Sequence, residues 1–399
     1  MKENATYQTI RRPTIKLIRN LMKTGRKPTL PRLFLLTLLF FALQYISFNT
    51  QGAGNPAPGG RYYHEIQDGR IRLTGLLTNF PGISIAVGIG EDIVWKEAFG
   101  WADAKNKIYA TPEHQFRYYS LSKSIAGMAA AKLMEEGKLD LDTTIATYLP
   151  ELPEHYCDVT VGQLLSHTAG VRHYNKGEWQ KISKYHCNTV AEALPEFIND
   201  PLEFEPGTGY TYTSYGYVLL CHIIEMVSGI PYEAYIQQHF LDRLGLEHIA
   251  LDQSPGAKIN PVKFYQYWNI HHNRGTEAAI INNSCKFGGG GYVGTAEDLV
   301  HLHQALLQGR LLKPATVEKY FTSFTKSDST SAHYAFGLGV KTLEDGSHIF
   351  THTGTALGGY GVLIVDPKRE LVIVMLGNRY DELLLEAAKD ILLAFRPNV

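Results

Sequence analysis

The stretch Phe116 to Lys123, FRYYSLSK, runs into a segment in which Ile125, Met128, Ala129 and Leu133 supply the apolar face of a helix that continues to Glu136 and is stopped by Gly137. Ser120 and Lys123 then stand at i and i+3 on one helical face, so an ammonium reaches a hydroxyl and can help remove its proton. The helix N-terminus adds backbone N–H groups and a positive dipole end beside that hydroxyl. Taken alone, S-x-x-K equally describes an N-cap serine followed by a solvated lysine. The chain contains a second copy, Ser323-Phe324-Thr325-Lys326, but it lies in a polar run (TSFTKSDSTS) with no apolar period and is discarded.

Upstream, the pattern predicts a helix over 62–77 and two β runs, 83–88 and 93–101, joined as a hairpin by Gly90-Glu91-Asp92. Strand-like sequence then disappears for some two hundred residues. It returns at 336–343, 349–353, 361–365 and 371–376, followed by a helix over 382–395 with Asp381 as its expected N-cap. Between them the chain reads as helices and loops, with helices after Thr160, over 214–227, from Pro231 and over 295–307. The fold class expected is α/β (α+β): an antiparallel sheet made from both chain ends and flanked by helices, with a mainly helical lobe inserted. The sheet lobe is assigned to 61–116 and 330–399, and the helical lobe to 117–329.

The first 32 residues hold nine cations (Lys2, Arg11, Arg12, Lys16, Arg19, Lys23, Arg26, Lys27, Arg32) against Glu3 alone, while the whole chain of 399 residues has a net charge of −1. The remainder is therefore acidic, which argues against a nucleic-acid-binding body. Residues 33–48, LFLLTLLFFALQYISF, carry no charge and read as a membrane-insertion signal. Residues 1–32 are thus a basic tail, 33–49 a transmembrane signal anchor or a signal peptide, 50–60 a Gly/Pro linker (GAGNPAPGG over 52–60), and 61–399 the folded body. The positive-inside rule puts the body outside the cytoplasm, with the periplasm favoured. Secretion after cleavage and an organellar transit peptide, hence a mitochondrial location, are the alternatives. Cys157, Cys187, Cys221 and Cys285 are too widely spaced for a zinc site or a disulfide framework. An exported body permits one disulfide, and the spacing does not choose the pair.

Two more segments bear on chemistry. Tyr212-Thr213-Ser214 follows Pro206-Gly207 and precedes a helix, placing a phenol and a hydroxyl in a tight turn. His352-Thr353-Gly354 ends a strand, and the small residues of TALGGYG (355–361) let a substrate backbone approach its edge. Singly, each also reads as a buried tyrosine under a loop or a histidine at a strand end.

In the order S-x-x-K, Y-x-S, H-T-G, these segments resemble the serine β-lactamase and penicillin-binding-protein superfamily, in its class C and D-alanyl-D-alanine carboxypeptidase branch. The likeness extends to Phe116 through Tyr119, Glu136 through Asp142, Leu164-Leu165-Ser166-His167-Thr168-Ala169-Gly170, Gly288 through Tyr292, and Thr295 through Leu299. Gly170-Val171-Arg172-His173-Tyr174 and Thr351-His352-Thr353-Gly354 make it most similar to the serine β-lactamase-like proteins of mitochondria and their bacterial relatives. The resemblance implies a β-lactamase/transpeptidase-like fold in which Ser120 attacks a carbonyl and Lys123 and Tyr212 share the acid/base work. It also implies an oxyanion hole from the N–H groups of Ser120 and Thr355, and a substrate strand lined by His352, Thr353 and Gly354. Two departures stand out. Ser214 replaces the family's Asn and offers one donor at shorter reach. His352 replaces a lysine, so any carboxylate attraction there is expected to depend on pH.

His301 and His303, at i and i+2, cannot share a helical face, and His271-His272 lacks a ligand set, so neither metal nor cofactor is expected. No G-x-S-x-G, G-x-G-x-x-G before a helix or Walker loop occurs. The expectation is a serine hydrolase that forms an acyl-enzyme on a small peptide or ester, most in keeping with a D-alanyl-D-alanine carboxypeptidase-like peptidase. The alternatives are a carboxylesterase with the same site and a catalytically silent membrane-tethered binding or assembly protein. Oligomeric state is not legible.

Overall fold

Apolar runs from the two ends of the body pair into one antiparallel sheet. The computed structural model describes residues 60–252, 260–326 and 328–396. The expected basic tail, the apolar segment and the linker up to Gly59 lie outside these residues. Among the described residues no helix is long and apolar enough to cross a membrane.

Helix α1 (Tyr63–Leu76) leads into β1 (Gly82–Ile89), β2 (Asp92–Asp103) and the two-residue β3 (Ile108–Tyr109). The middle of the chain holds β4 (Phe116–Arg117), α2 (Ser122–Glu135), α3 (Val161–Ser166) and α4 (Ser214–Ser228). There follow β5 (Ala250–Leu251), β6 (Tyr265–Asn269), β7 (Arg274–Glu277), β8 (Tyr292–Gly294) and α5 (Ala296–Leu307). The chain then returns as β9 (Gly339–Thr342), β10 (His348–Ala356), β11 (Gly359–Asp366) and β12 (Leu371–Gly377), and ends in α6 (Leu383–Phe395). The large sheet has the order β3-β2-β1-β12-β11-β10-β9, so the first and last strands of the body meet at β1 and β12 with Ile83 opposite Gly377.

Both faces of this sheet are covered, which is why β11 and β12 are buried at every position instead of alternating. A Cβ on Gly88 would meet Val300 and Gln304 of α5, whereas one on Gly377 would meet Phe80 and Leu384 of α6. Gly377 pairs with Ile83, an odd number of residues from Gly88, so α5 and α6 lie on opposite faces. Local signals set the helix starts. Thr160 and Gln163 close a capping box on α3, and the Thr295 hydroxyl accepts the Asp298 N–H at 3.0 Å to open α5.

Several expectations need correcting. The region between the hairpin and β9 is not free of strands: β4, β8 and β5 form a small sheet and β6 and β7 a hairpin, all too short to show alternation. The expected strand at 336–343 shrinks to β9 because Gly337, at φ +88°, turns the chain first. The expected helix from Ser120 begins as a 3-10 turn, Tyr119–Leu121, before α2 takes over. The cap residue of α6 is Glu382 in place of Asp381, although the Asp381 carboxylate accepts the Leu383 N–H at 3.1 Å. Cys187 and Cys285 form a disulfide; Cys157 is exposed and Cys221 buried, both as free thiols.

Candidate active site

The backbone around Ser120 is built from close approaches. Tyr119 adopts φ +48°, a conformation costly for a side chain with a Cβ, and the surrounding contacts hold it there. Its hydroxyl donates to the Leu357 carbonyl at 3.1 Å, and its ring fills the space over Gly359, where a Cβ would come within 2.7 Å. The Tyr118 N–H donates to the Tyr292 carbonyl at 2.9 Å, and its hydroxyl to the Thr295 carbonyl at 2.6 Å. Gly354 of β10 lies directly against this turn: a Cβ there would stand 2.2 Å from the Tyr118 carbonyl oxygen and 3.2 Å from the Ser120 nitrogen. Gly354→Ala is accordingly expected to destabilise the fold by about 1–3 kcal/mol through overpacking and to cut kcat/KM about a hundredfold by displacing the Ser120 turn. Thermal melting and steady-state kinetics read the two effects separately.

Helix α2 and the turn before α4 bring two groups onto the Ser120 hydroxyl. Lys123, the second residue of α2 and fully buried, has its Nζ 3.2 Å from Ser120 Oγ, 3.0 Å from Ser214 Oγ and 2.6 Å from the Gly289 carbonyl. Tyr212, just before α4, donates its hydroxyl to Ser120 Oγ at 2.7 Å. Burial, reinforced by the charge of Lys286, pushes Lys123 well below its ordinary range. When unprotonated, this amine has two N–H donors, for the Gly289 carbonyl and Ser214 Oγ, and one lone pair for the Ser120 proton. Burial pushes the Tyr212 phenol the other way, above its usual range, so it stays protonated and can serve as an acid. The arrangement separates a base from an acid on either side of one hydroxyl.

A shell of histidines fixes Tyr212 and Ser214. His167, at φ +63°, accepts the Thr213 N–H on Nδ1 at 3.2 Å and packs its ring 4.6 Å from that of Tyr212. His173 Nδ1 accepts the Ser214 N–H at 3.1 Å, and Arg172 locks that loop through Glu178 and Asp200. Burial and the nearby lysines hold His173 at about 4, so it is neutral at physiological pH.

His352 corrects one expectation. Its Nδ1 donates to the Thr353 carbonyl at 2.6 Å and its Nε2 accepts from the Tyr334 hydroxyl at 2.9 Å. Burial and then the Lys123 charge bring it down to about 3, so it is neutral over the whole physiological range and cannot attract a carboxylate by titrating near pH 6.5.

Ser120, Tyr212, Ser214, His352, Thr353 and Thr355 all line one cavity of about 880 Å³, and Lys123 lies behind its wall. β9 pairs with β10 only as far as Thr351, leaving His352 through Ala356 uncovered on that side for an extended ligand. Among the lining residues that sequence reasoning did not assign to the site are His173 and Lys286. The first sits within a stretch already noted for its resemblance, and the second beside a cysteine and the glycine run, with no local pattern to mark it. The discarded Ser323 bonds Ser331 at 2.8 Å, and Lys326 pairs with Asp328, so that second motif assembles nothing. His303 is buried with Nδ1 on the Leu299 carbonyl, and His301 faces Glu297.

An antiparallel sheet with helices on both faces, Ser-x-x-Lys at a helix start, a tyrosine on the serine and a strand edge beside them define a serine hydrolase of the β-lactamase/transpeptidase-like fold. The sequence pattern described as Beta-lactamase matches residues 72–395, and the chain belongs to that family. It is 29% identical over 380 residues to the human serine beta-lactamase-like protein LACTB, mitochondrial, covering 72% of this chain and 69% of that one. The putative penicillin-binding protein PbpX of Bacillus subtilis is also 29% identical, over 248 residues, covering 62% of this chain and 60% of that one. Among solved structures, the octameric penicillin-binding protein homologue from Pyrococcus abyssi superposes with a TM-score of 0.70 at 23% identity, covering 83% and 78% of the two chains. A D-amino acid amidase from Ochrobactrum anthropi superposes at 0.69 and 21% identity, covering 82% and 98%. The expected family and fold are therefore those found.

Proposed function

We propose that the protein is a D-alanyl-D-alanine carboxypeptidase-like peptidase that cleaves a small peptide through an acyl-enzyme on Ser120. The observation that carries this reading is the Ser120 hydroxyl held between a depressed lysine at 3.2 Å and an elevated tyrosine at 2.7 Å. Ser120 Oγ bonds to the substrate carbonyl carbon as its proton passes to Lys123 Nζ. The N–H groups of Ser120 and Thr355 receive the oxyanion, with Gly354 holding strand and turn together. Tyr212 gives its proton to the leaving amine as the C–N bond breaks and is reprotonated from Lys123. Water then attacks the ester, giving up a proton to Lys123, and Ser120 leaves with a proton returned through Tyr212. Ser214 and His173 hold Lys123 and the Tyr212 turn, while His352 and Thr353 line the substrate strand.

In this reading residues 61–399 are the catalytic body, 50–60 a linker, 33–49 the membrane segment and 1–32 its basic tail. The Cys187–Cys285 disulfide supports an oxidising location outside the cytoplasm. The mammalian relatives, mitochondrial by name, favour the mitochondrial alternative over the periplasm.

The test is intact-protein mass spectrometry of the full chain with a fluorophosphonate and, in parallel, with a penicillin. One covalent adduct, mapped by peptide digestion to Ser120, is the expected result with the fluorophosphonate. A penicillin adduct would add β-lactam recognition. No adduct with either reagent, or an adduct on another residue, overturns the reading.

A further inference from the structure

We propose that the Cys187–Cys285 disulfide is a redox gate on the Ser120 site: when a dithiol opens it, the turn that holds Lys123 loosens and acylation slows. This rests on the serine-hydrolase reading of the cavity and adds to it the condition under which the site works.

The segment that bears Cys285 also holds the base. Cys285 sits on the short turn Ser284–Lys286, and the helical run Phe287–Gly290 follows directly. The Gly289 carbonyl of that run accepts Lys123 Nζ at 2.6 Å. Its three glycines pack closely against the reactive centre. A Cβ on Gly288 would stand 2.6 Å from the Ala126 Cβ of α2, one on Gly289 2.8 Å from the Ser214 carbonyl oxygen of α4, and one on Gly290 3.6 Å from the Tyr119 carbonyl carbon. A shift of the run is therefore felt by the helix carrying Lys123, the helix carrying Ser214 and the turn carrying Ser120. Between the cysteine and the glycines stands Phe287 at φ +40°, a value costly for a residue with a Cβ, which persists only while its surroundings impose it.

Two sets of links fix this turn. On one side Asn283 Nδ2 donates to Asp252 at 2.9 Å, and the Asp252 N–H donates to the Gly291 carbonyl at 2.7 Å. On the other side lies the segment 183–187. There the Asn282 N–H donates to the Ser183 carbonyl at 2.8 Å, the Cys187 N–H donates to Ser284 Oγ at 3.0 Å, and the disulfide joins the two segments covalently. The sulfurs lie beneath a thin cover: Cys187 is 8% and Cys285 5% exposed, but Lys184, Tyr185, His186 and Asn188 around Cys187 are all exposed. Attack by a thiolate of the dithiol on one sulfur breaks the S–S bond and forms a mixed disulfide, which the second thiol of the same reagent then resolves. Two electrons and two protons pass to the protein, leaving thiols at 187 and 285 and a disulfide on the reductant. Segment 183–187 then loses its covalent tie to the turn, Phe287 leaves its strained conformation, and the Gly289 carbonyl shifts away from Lys123.

The test measures the rate at which a fluorophosphonate labels Ser120 in the full chain, oxidised and after treatment with dithiothreitol. Alkylation and peptide mapping identify the protein in which residues 187 and 285 have become thiols. Reduction is expected to slow labelling by about 10- to 100-fold, the size of a displacement of about 1 Å in a catalytic group, while far-UV circular dichroism and cooperative melting are retained. Reoxidation is expected to restore the rate. Cys187→Ala/Cys285→Ala is expected to label as slowly as the reduced protein and to be insensitive to dithiothreitol, and the wild-type comparison decides the matter even where that variant does not fold. Equal or faster labelling on reduction overturns the gate, as does a loss that reoxidation does not reverse. A reduced protein that unfolds also overturns it, making the disulfide a staple of the whole fold, and so does a loss that dithiothreitol still produces in the double variant. Absence of labelling in oxidised wild type overturns instead the hydrolase reading beneath it.

Discussion

Ser120→Ala is expected to lower kcat by about 10⁴- to 10⁶-fold and to leave KM within a few-fold of wild type, since the serine forms its bond only on the way to the transition state. Most of the cavity survives the change: the proposed oxyanion donors and the β10 edge are untouched, so residual rate above water is also expected. Ser214 makes this prediction informative. Its hydroxyl is 3.0 Å from the same Lys123 Nζ and is the one other serine placed on the base among the described residues. Activity that persists in Ser120→Ala and disappears in Ser120→Ala/Ser214→Ala would transfer the nucleophile to α4. Single-turnover kinetics with a thiodepsipeptide, read beside the mass of the acylated protein, separates the two outcomes.

Lys123→Met is expected to cost about 10³- to 10⁴-fold in kcat, the size of a lost general base coupled to its nucleophile. It also carries a signature in stability. The folded-state value of Lys123 lies well below its ordinary 10.5, so in the window between the two the unfolded chain binds a proton that the folded chain does not. Wild-type stability therefore rises with pH through that window and falls as pH drops. Lys123→Met has no such group, so relative to wild type it gains up to about 1.4 kcal/mol for each unit by which pH falls from about 10.5 toward the folded-state value. Its absolute stability also includes the loss of the donor to the Gly289 carbonyl, which is why the pH slope, and not the midpoint at one pH, is the measurement. Urea unfolding of both proteins at a series of pH values provides it. Parallel curves would mean that Lys123 is charged in the folded state and is not poised as a base.

Local chemistry made much of this molecule legible. The apolar period after Ser120, the Thr160–Gln163 box, and the β runs at 83–88 and 371–376 each state their own structure within a few residues, because capping, helix period and strand composition act at short range. Ser120, Lys123 and Tyr212 could be chosen because their motifs recur in order, and the Ser120–Lys123 spacing alone puts two of them within reach. What stayed hidden depends on contacts between distant segments. β4, β5 and β8 are two or three residues each and exist only because residues 117, 250 and 293 meet in space. The partner of Cys187 lies 98 residues away. The ring type of His352 suggests a pH switch, whereas burial and then Lys123, with Tyr334 on its Nε2, keep it neutral.

From pattern and spacing came the antiparallel sheet drawn from both ends and the reach of Lys123 to Ser120, and from the resemblance of the ordered motifs came the family and Tyr212. The folded chain decided how far the proton affinity of each buried lysine falls. Lys123 and Lys286 are the same residue type, and sequence assigns them the same ordinary proton affinity; burial without a carboxylate depresses the first well below its range, while Asp252 offsets part of that cost for the second. Desolvation and through-space charge are properties of the packed interior, and no run of neighbouring residues encodes them.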